Sequence, residues 1–349
     1  MEHRHLYLDL LRVIAIFAVI TLHVSAPIVV SFSNIPSNHW MIANIIDSIT
    51  RFCVPVFFMI SGALLLGDDR NYQFSYLFRK RILRIFIPFL IWSFFYIFYM
   101  HFYVKPYANL FSEVFSILNH PAMYHLWFIY PLIGLYILLP LLGTFVTHAE
   151  ESKIRYFLIL WGIVAILNPL LNILFSYQPP IFSLPNNIQE TWLYTGYFVL
   201  GFYLSRNPFY YNKWLPIFLI ISGIMITVFA TDYFSHKYAK FYEFFYSYMA
   251  PNVLMVSVGV FLIIKMAAFK LETLKPLNRS LLIKLSEASF GIYLMHVFFI
   301  YQANMILHLD GNTFHPLIGV FLTSFFVFVV SAALTYLIRQ ISFVGRFIA

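Results

Sequence analysis

From Val13 to Val30 the chain runs for eighteen residues with only Thr21, His23 and Ser25 interrupting its apolar side chains. About 20 such residues cross a hydrocarbon core of about 30 Å as a helix, and in lipid a helix satisfies its own backbone polar groups. Windows of this kind recur along the whole sequence. Spans are expected at 8–30, 47–66, 82–103, 124–146, 155–175, 191–205, 214–232, 249–269, 285–308 and 316–339. The expected fold is all-α, a polytopic bundle of about ten transmembrane helices, with residues 1–349 forming a single transmembrane domain. Composition supports this. The chain is 61% hydrophobic and 10% charged, whereas a soluble globular chain carries about 25% charged residues. The first apolar run is too long for a secretory leader and is expected to stay as the first span. Only 13 glycines are present, which argues against tight small-residue seams between helices.

Charge orients the bundle. With the N-terminus in the cytoplasm, eighteen lysines and arginines fall on inner segments. Four fall on outer ones: Arg51, Lys105, Lys237 and Lys240. The bias follows the positive-inside rule and places both termini in the cytoplasm. It also accounts for most of the formal charge of +8, so no nucleic-acid partner is expected. Membrane lipid is the expected surrounding. Cys53 is the single cysteine, which excludes a disulfide framework and a multi-cysteine metal site. The histidines are scattered and none forms a ligand cluster at metal spacing, so no metal is expected. No Walker loop, Rossmann glycine fingerprint, HExxH or GxSxG elbow is present.

Ionisable groups at membrane depth are costly and therefore informative. His23 lies in the first span, eleven residues after Arg12. Eleven residues make about three helical turns and rise about 16 Å, so both side chains share one face. His23 then sits near the midplane, above a guanidinium at the inner rim. The arrangement suits acetyl-CoA, which has phosphates at one end and a thioester at the other. Arg12 would grip phosphate through charge-assisted hydrogen bonds. His23 would take a proton from an attacking hydroxyl. The plainer reading pairs Arg12 with Asp9 one turn earlier and leaves His23 bonded to a neighbouring helix.

His296 reaches similar depth in the ninth expected span. Ser286, Ser289, Tyr293 and His296 recur at three- and four-residue spacing, a polar stripe on one helix face. Two deep histidines approached from the same side suggest one shared polar cavity; the plainer reading is a network that holds the bundle together. Glu287 lies off the stripe and reads as interfacial. Arg51 is expected in the outer part of the second span, gripping an anionic or sugar group or simply pairing with Asp47 four residues earlier. Arg79, Lys80, Arg81 and Arg84 form a basic cluster that positive-inside bias alone explains and that a phosphate-rich cosubstrate would use. His125, between the belt aromatics Tyr124 and Trp127, is a candidate for an acceptor entrance.

These motifs have a familiar order. Leu8-Asp9-Leu10-Leu11-Arg12 followed by His23 resembles the opening of the acyltransferase-3 family of integral membrane O-acyltransferases. The run from Arg51 to Gly62 resembles the second-span signature of that family. Arg81-Ile82-Leu83-Arg84-Ile85 with Pro88 resembles the entrance to its third span. His125-Leu126-Trp127 and Gly291-Ile292-Tyr293-Leu294-Met295-His296 resemble later motifs. The short, single-domain form is most similar to the enterobacterial common antigen O-acetyltransferase type. The resemblance implies transfer of an acetyl group from acetyl-CoA to a hydroxyl of a cell-envelope glycan or lipid-linked sugar, in a bacterial inner membrane. It implies that Arg12 meets the cosubstrate's phosphate and that His23 is catalytic; Arg81 and Arg84, from the basic cluster, are expected to help hold the phosphates. Two departures stand out. Many relatives carry a glutamate where this chain has Leu132, and some append a soluble hydrolase-like domain that is not expected here. The competing readings are a secondary transporter or flippase for a sugar-containing precursor, and a noncatalytic assembly protein. Paired Gly/Pro-broken helices, which would favour the transporter, are not evident.

Overall fold

A computed structural model describes residues 4–104, 107, 109–167, 169–171, 186–206, 212–341 and 345. Lys105 and Arg346 of the charge count, and part of the expected fifth span, lie outside the described residues. Among the described residues the chain is helical and contains no strand. Among the described residues eight helices are long and apolar enough to cross a membrane, or nine when one bent pair counts as a span. That is fewer than the ten expected. The sixth expected span, 191–205, does lie in a helix, Asn186–Arg206, but that helix opens on a polar run and is not among the apolar spans.

The first helix, α1 (Leu6–Val30), carries Asp9 in its first turn, where a negative charge complements the helix dipole. Next come α2 (Ser37–Thr50) and α3 (Cys53–Leu65), which form one span of 29 residues interrupted at Arg51 and Phe52. The second span was expected to begin at 47. It begins ten residues earlier, because Trp40, Ala43, Asn44 and Ile46 are buried against the bundle. Arg51 consequently stands at the middle of the span and not towards its outer end.

The third span, Phe74–Val104, contains α4 (Leu83–Tyr99) between two π-helical turns, Phe78–Ile82 and Met100–Val104. Arg79, Lys80 and Arg81 sit on the first of these turns. The fourth begins as a 3-10 turn, Tyr124–Phe128, continues as α5 (Ile129–Ile137), and bends by 57° into α6 (Leu139–His148). Pro140 explains the bend, since its ring cannot pack over the preceding carbonyls and it donates no backbone hydrogen bond.

The longer helices that follow are α7 (Glu151–Trp161), α8 (Asn186–Arg206), α9 (Trp214–Tyr238), α10 (Pro251–Met266) and α11 (Pro276–Leu307). The last is α12 (Pro316–Gln340). Three of these open on proline, whose fixed φ and missing N–H suit the first helical position.

The core lies around the first two spans. In α1 61% of the most apolar window is buried and in Ser37–Leu65 67%, against 24% for Glu151–Leu171 and 28% for α9. The helices that carry the deep polar residues are therefore central, and the peripheral ones face lipid.

Glycine is scarce, yet two seams depend on it. In α3 and α8, Gly62 lies on the backbone carbonyl of Phe198 and Gly201 on that of Met59, so an added Cβ would collide with backbone atoms. Between α9 and α10, Gly223 approaches the carbonyl of Asn252 and Gly259 that of Pro216. Small-residue packing thus holds parts of this bundle, contrary to the expectation from glycine content.

Candidate acyl-transfer site

A cavity of about 840 Å³ runs up the centre of the bundle. Its wall includes His5, before the start of α1, and His23, eighteen residues later, which corresponds to about 27 Å of helix. The two ends differ in chemistry. The end near His5 is basic. Seven lysine and arginine side chains line the cavity against two carboxylates, Asp68 and Glu287. The end near His23 is aromatic, with His125, Trp127, Phe128, Tyr248 and Tyr293 on the wall.

Arg12 lies on this wall, below His23 on the same helix. Asp9 makes no ion pair with it. The Asp9 carboxylate accepts hydrogen bonds from Arg4 at 2.8 and 3.0 Å and from Ser286 Oγ at 2.6 Å. It is 4% exposed and does not line the cavity, so it is not the cavity residue that a place beside Arg12 would make it. Among the described residues Arg12, Lys80 and Arg84 form no ion pair, and all three line the cavity. Arg81 is held differently. It donates to Asn71 Oδ1 at 2.8 Å and pairs with Asp68 at 3.2 Å. Asp68 also binds Arg70 at 2.8 Å, and Arg70 holds its carboxyl below the usual carboxylate range. Glu287, off the polar stripe, bridges Arg4 at 2.8 Å and Arg339 at 3.2 Å at the cavity mouth.

Three histidines from three separate elements meet at the deep end. His23 stacks on His296 with ring centroids 5.2 Å apart and planes 30° from parallel. His125 meets the edge of His296 at 5.0 Å and 80°. Tyr124 meets His23 at 5.1 Å, so this tyrosine belongs to the site and not only to an interfacial belt. His125 is 1% exposed, buried rather than standing at an entrance. The Tyr293 hydroxyl donates to the His125 carbonyl, tying α11 to the 3-10 turn. The Tyr96 hydroxyl donates to the Leu294 carbonyl at 2.8 Å, tying α4 to the same helix. Among the described residues no group of three metal-ligating side chains could hold a metal ion.

Ser286, Ser289 and Tyr293 of the stripe line the cavity, while His296 sits behind His23 and off the wall. Arg51 also lies off it. Its Nε is 2.5 Å from Asp47 Oδ1, Ser25 Oγ donates to the other Asp47 oxygen at 3.1 Å, and the guanidinium covers the Tyr246 ring at 4.3 Å. The plainer reading of Arg51, a pair with Asp47, is the arrangement present. The sequence did not single out Arg70, Arg206, Arg339, Tyr136 or Tyr248, which also line the cavity. Their positions come from how the helices associate, and no spacing along one helix reveals them. Leu132 is on the wall and gives that stretch of it no charge.

The cavity can therefore hold an elongated anion with its charge at the basic end and a reactive group beside an imidazole. Comparison with known families agrees with that chemistry. Residues 5–338 match the acyltransferase-3 family model, described as an acyltransferase domain. No curated protein and no solved structure matches the chain.

Proposed function

The chain belongs to the acyltransferase-3 family, and from that premise we propose that it moves an acetyl group from acetyl-CoA to a hydroxyl of a cell-envelope glycan or lipid-linked sugar. Membership makes it a multi-pass membrane acyltransferase; the donor, the acceptor and a bacterial inner-membrane location are the proposed part. One observation carries it. A single cavity joins unpaired cations at one end to His23 at the other. A cation that lines a cavity without a carboxylate partner favours an anionic ligand, and phosphate is the group that a guanidinium recognises best.

In this reading Arg12, with Arg84 and Lys80, holds the phosphates of acetyl-CoA. The thioester lies at His23. The acceptor hydroxyl attacks the acyl carbon while His23 takes its proton; the new C–O bond forms as the C–S bond breaks. The proton then passes from His23 to the departing thiolate. Neither a metal nor a redox partner is needed to balance the step.

Inverted membrane vesicles from a host expressing the chain, supplied with radiolabelled acetyl-CoA, test this. Label should appear covalently on extracted envelope glycan, and His23→Ala should lower it by about two to four orders of magnitude. Accumulation of solute without covalent label would speak for the transporter instead. Equal labelling by wild type and His23→Ala would overturn the assignment of His23.

A further inference from the structure

A histidine that moves protons is commonly oriented by a third group hydrogen-bonded to its far nitrogen. His23 has no such group. Among the described residues no hydrogen bond or ion pair reaches its ring. Rings touch it instead: His296 stacked at 5.2 Å, and Tyr124 at 5.1 Å and 61°.

His296 is itself firmly held. It is fully buried, 0% exposed, and stands behind His23 rather than on the cavity wall. Its Nδ1 lies 2.6 Å from the carbonyl oxygen of Tyr293 on the same helix. A carbonyl only accepts, so Nδ1 carries the hydrogen and Nε2 keeps the lone pair. That Nε2 is buried with no hydrogen-bond partner among the described residues. The ring is therefore a neutral plate with one fixed tautomer. His125 closes its edge at 5.0 Å, and the Tyr293 hydroxyl locks the His125 backbone to the same helix.

We infer that His296 is a positioning residue for His23, setting the plane of the imidazole through its stacked ring face and not through a hydrogen bond. The inference rests on the acyl-transfer reading. In that reaction His23 gains the hydroxyl proton and becomes an imidazolium. A neutral aromatic plate beside it attracts the cation through its π face, whereas a second charged ring would repel it. The plate thus holds the geometry before transfer and favours the charge during it. His296 itself takes no proton and touches neither substrate.

Two substitutions of similar volume separate this role from simple filling. His296→Phe keeps a flat ring and loses both nitrogens. His296→Met fills the space without a plane. Label transfer from acetyl-CoA to envelope glycan is measured in vesicles for wild type and both variants, with thermal unfolding in detergent as the control for folding. His296→Met should lower kcat at least about tenfold relative to His296→Phe, with KM for acetyl-CoA within about twofold of wild type in both. If His296→Met fails to fold, His296→Leu takes its place. Equal rates for the flat and non-flat variants overturn the inference, whether both are active or both are dead. Absence of transfer by wild type itself would instead count against the acyl-transfer reading.

Discussion

Arg12 and Arg51 are both arginines within apolar spans, and their surroundings could hardly differ more. Arg51 is closed into a complete set of contacts: Asp47, itself held by Ser25, and the Tyr246 ring. Arg12 has a cavity in front of it and no carboxylate, because Arg4 and Ser286 occupy Asp9. A buried charge is tolerated when paired. Pairing within the protein marks Arg51 as part of the scaffold. In the proposed reaction the missing pair leaves Arg12 for a partner that arrives from outside the chain.

Breaking the closed pair should have the largest effect. Asp47→Ala leaves a guanidinium buried and alone, at a cost of about 3–5 kcal/mol in a detergent unfolding experiment. The double variant Asp47→Ala with Arg51→Met should recover most of that loss, since removing both charges leaves none unpaired. A double variant as unstable as the single one would show that Arg51 matters beyond its pair. Arg12→Ala should behave in the opposite way. Its stability should hold or rise slightly, while KM for acetyl-CoA rises about 10- to 100-fold, the value of one or two charge-assisted hydrogen bonds. An unchanged KM would place the phosphates elsewhere. Arg12→Lys keeps the charge but loses the planar fork, so its KM should fall between those of wild type and Arg12→Ala.

The smallest effect is expected at the cavity mouth, where Asp68 holds Arg81 back. Asp68→Asn should release Arg81 towards an incoming phosphate and lower KM for acetyl-CoA by about two- to threefold, measured at low ionic strength where exposed charges are least screened. In the wild type, acid should achieve the same release only late. Arg70 depresses the folded pKa of Asp68, so its ion pairs are fully formed above the usual carboxylate value of about 3.9. They are lost only as pH falls through the lower, folded value. Between about pH 5 and pH 8 KM should therefore show no titration from Asp68.

How much of this was legible in the sequence follows from what periodicity can carry. Arg12 and His23 share one helix, so their spacing alone puts them on one face, and both line the cavity. The stripe from Ser286 to His296 is legible for the same reason. Proximity between helices is another matter. Nothing in the spacing of His125 tells that it would be buried against His296, because that contact depends on a 3-10 turn between two distant helices. The break at Arg51 has one local signal, Pro55 four residues on, whose missing N–H leaves the Arg51 carbonyl without its helical donor. Glycine content misled because a seam needs few glycines when each stands where a carbonyl passes. Gly62 and Gly201 answer each other across a single contact. The polar opening of α8 likewise obscures a helix whose Tyr197, Phe198 and Val199 are wholly enclosed by protein.

Helices α1 and α11 are joined at two rungs, Ser286 to Asp9 near the start of α1 and His296 to His23 further along it. Two parallel rods fastened twice cannot slide past one another. The height of the imidazole above the guanidinium is set by α1 itself, about 16 Å, and the two rungs hold α11 in register with it. A pocket built this way acts as a ruler. In the proposed reaction it would admit donors by the reach of their arm before it inspects the group they carry, and a thioester on a shorter stem, anchored at the same arginine, would stop below the histidine.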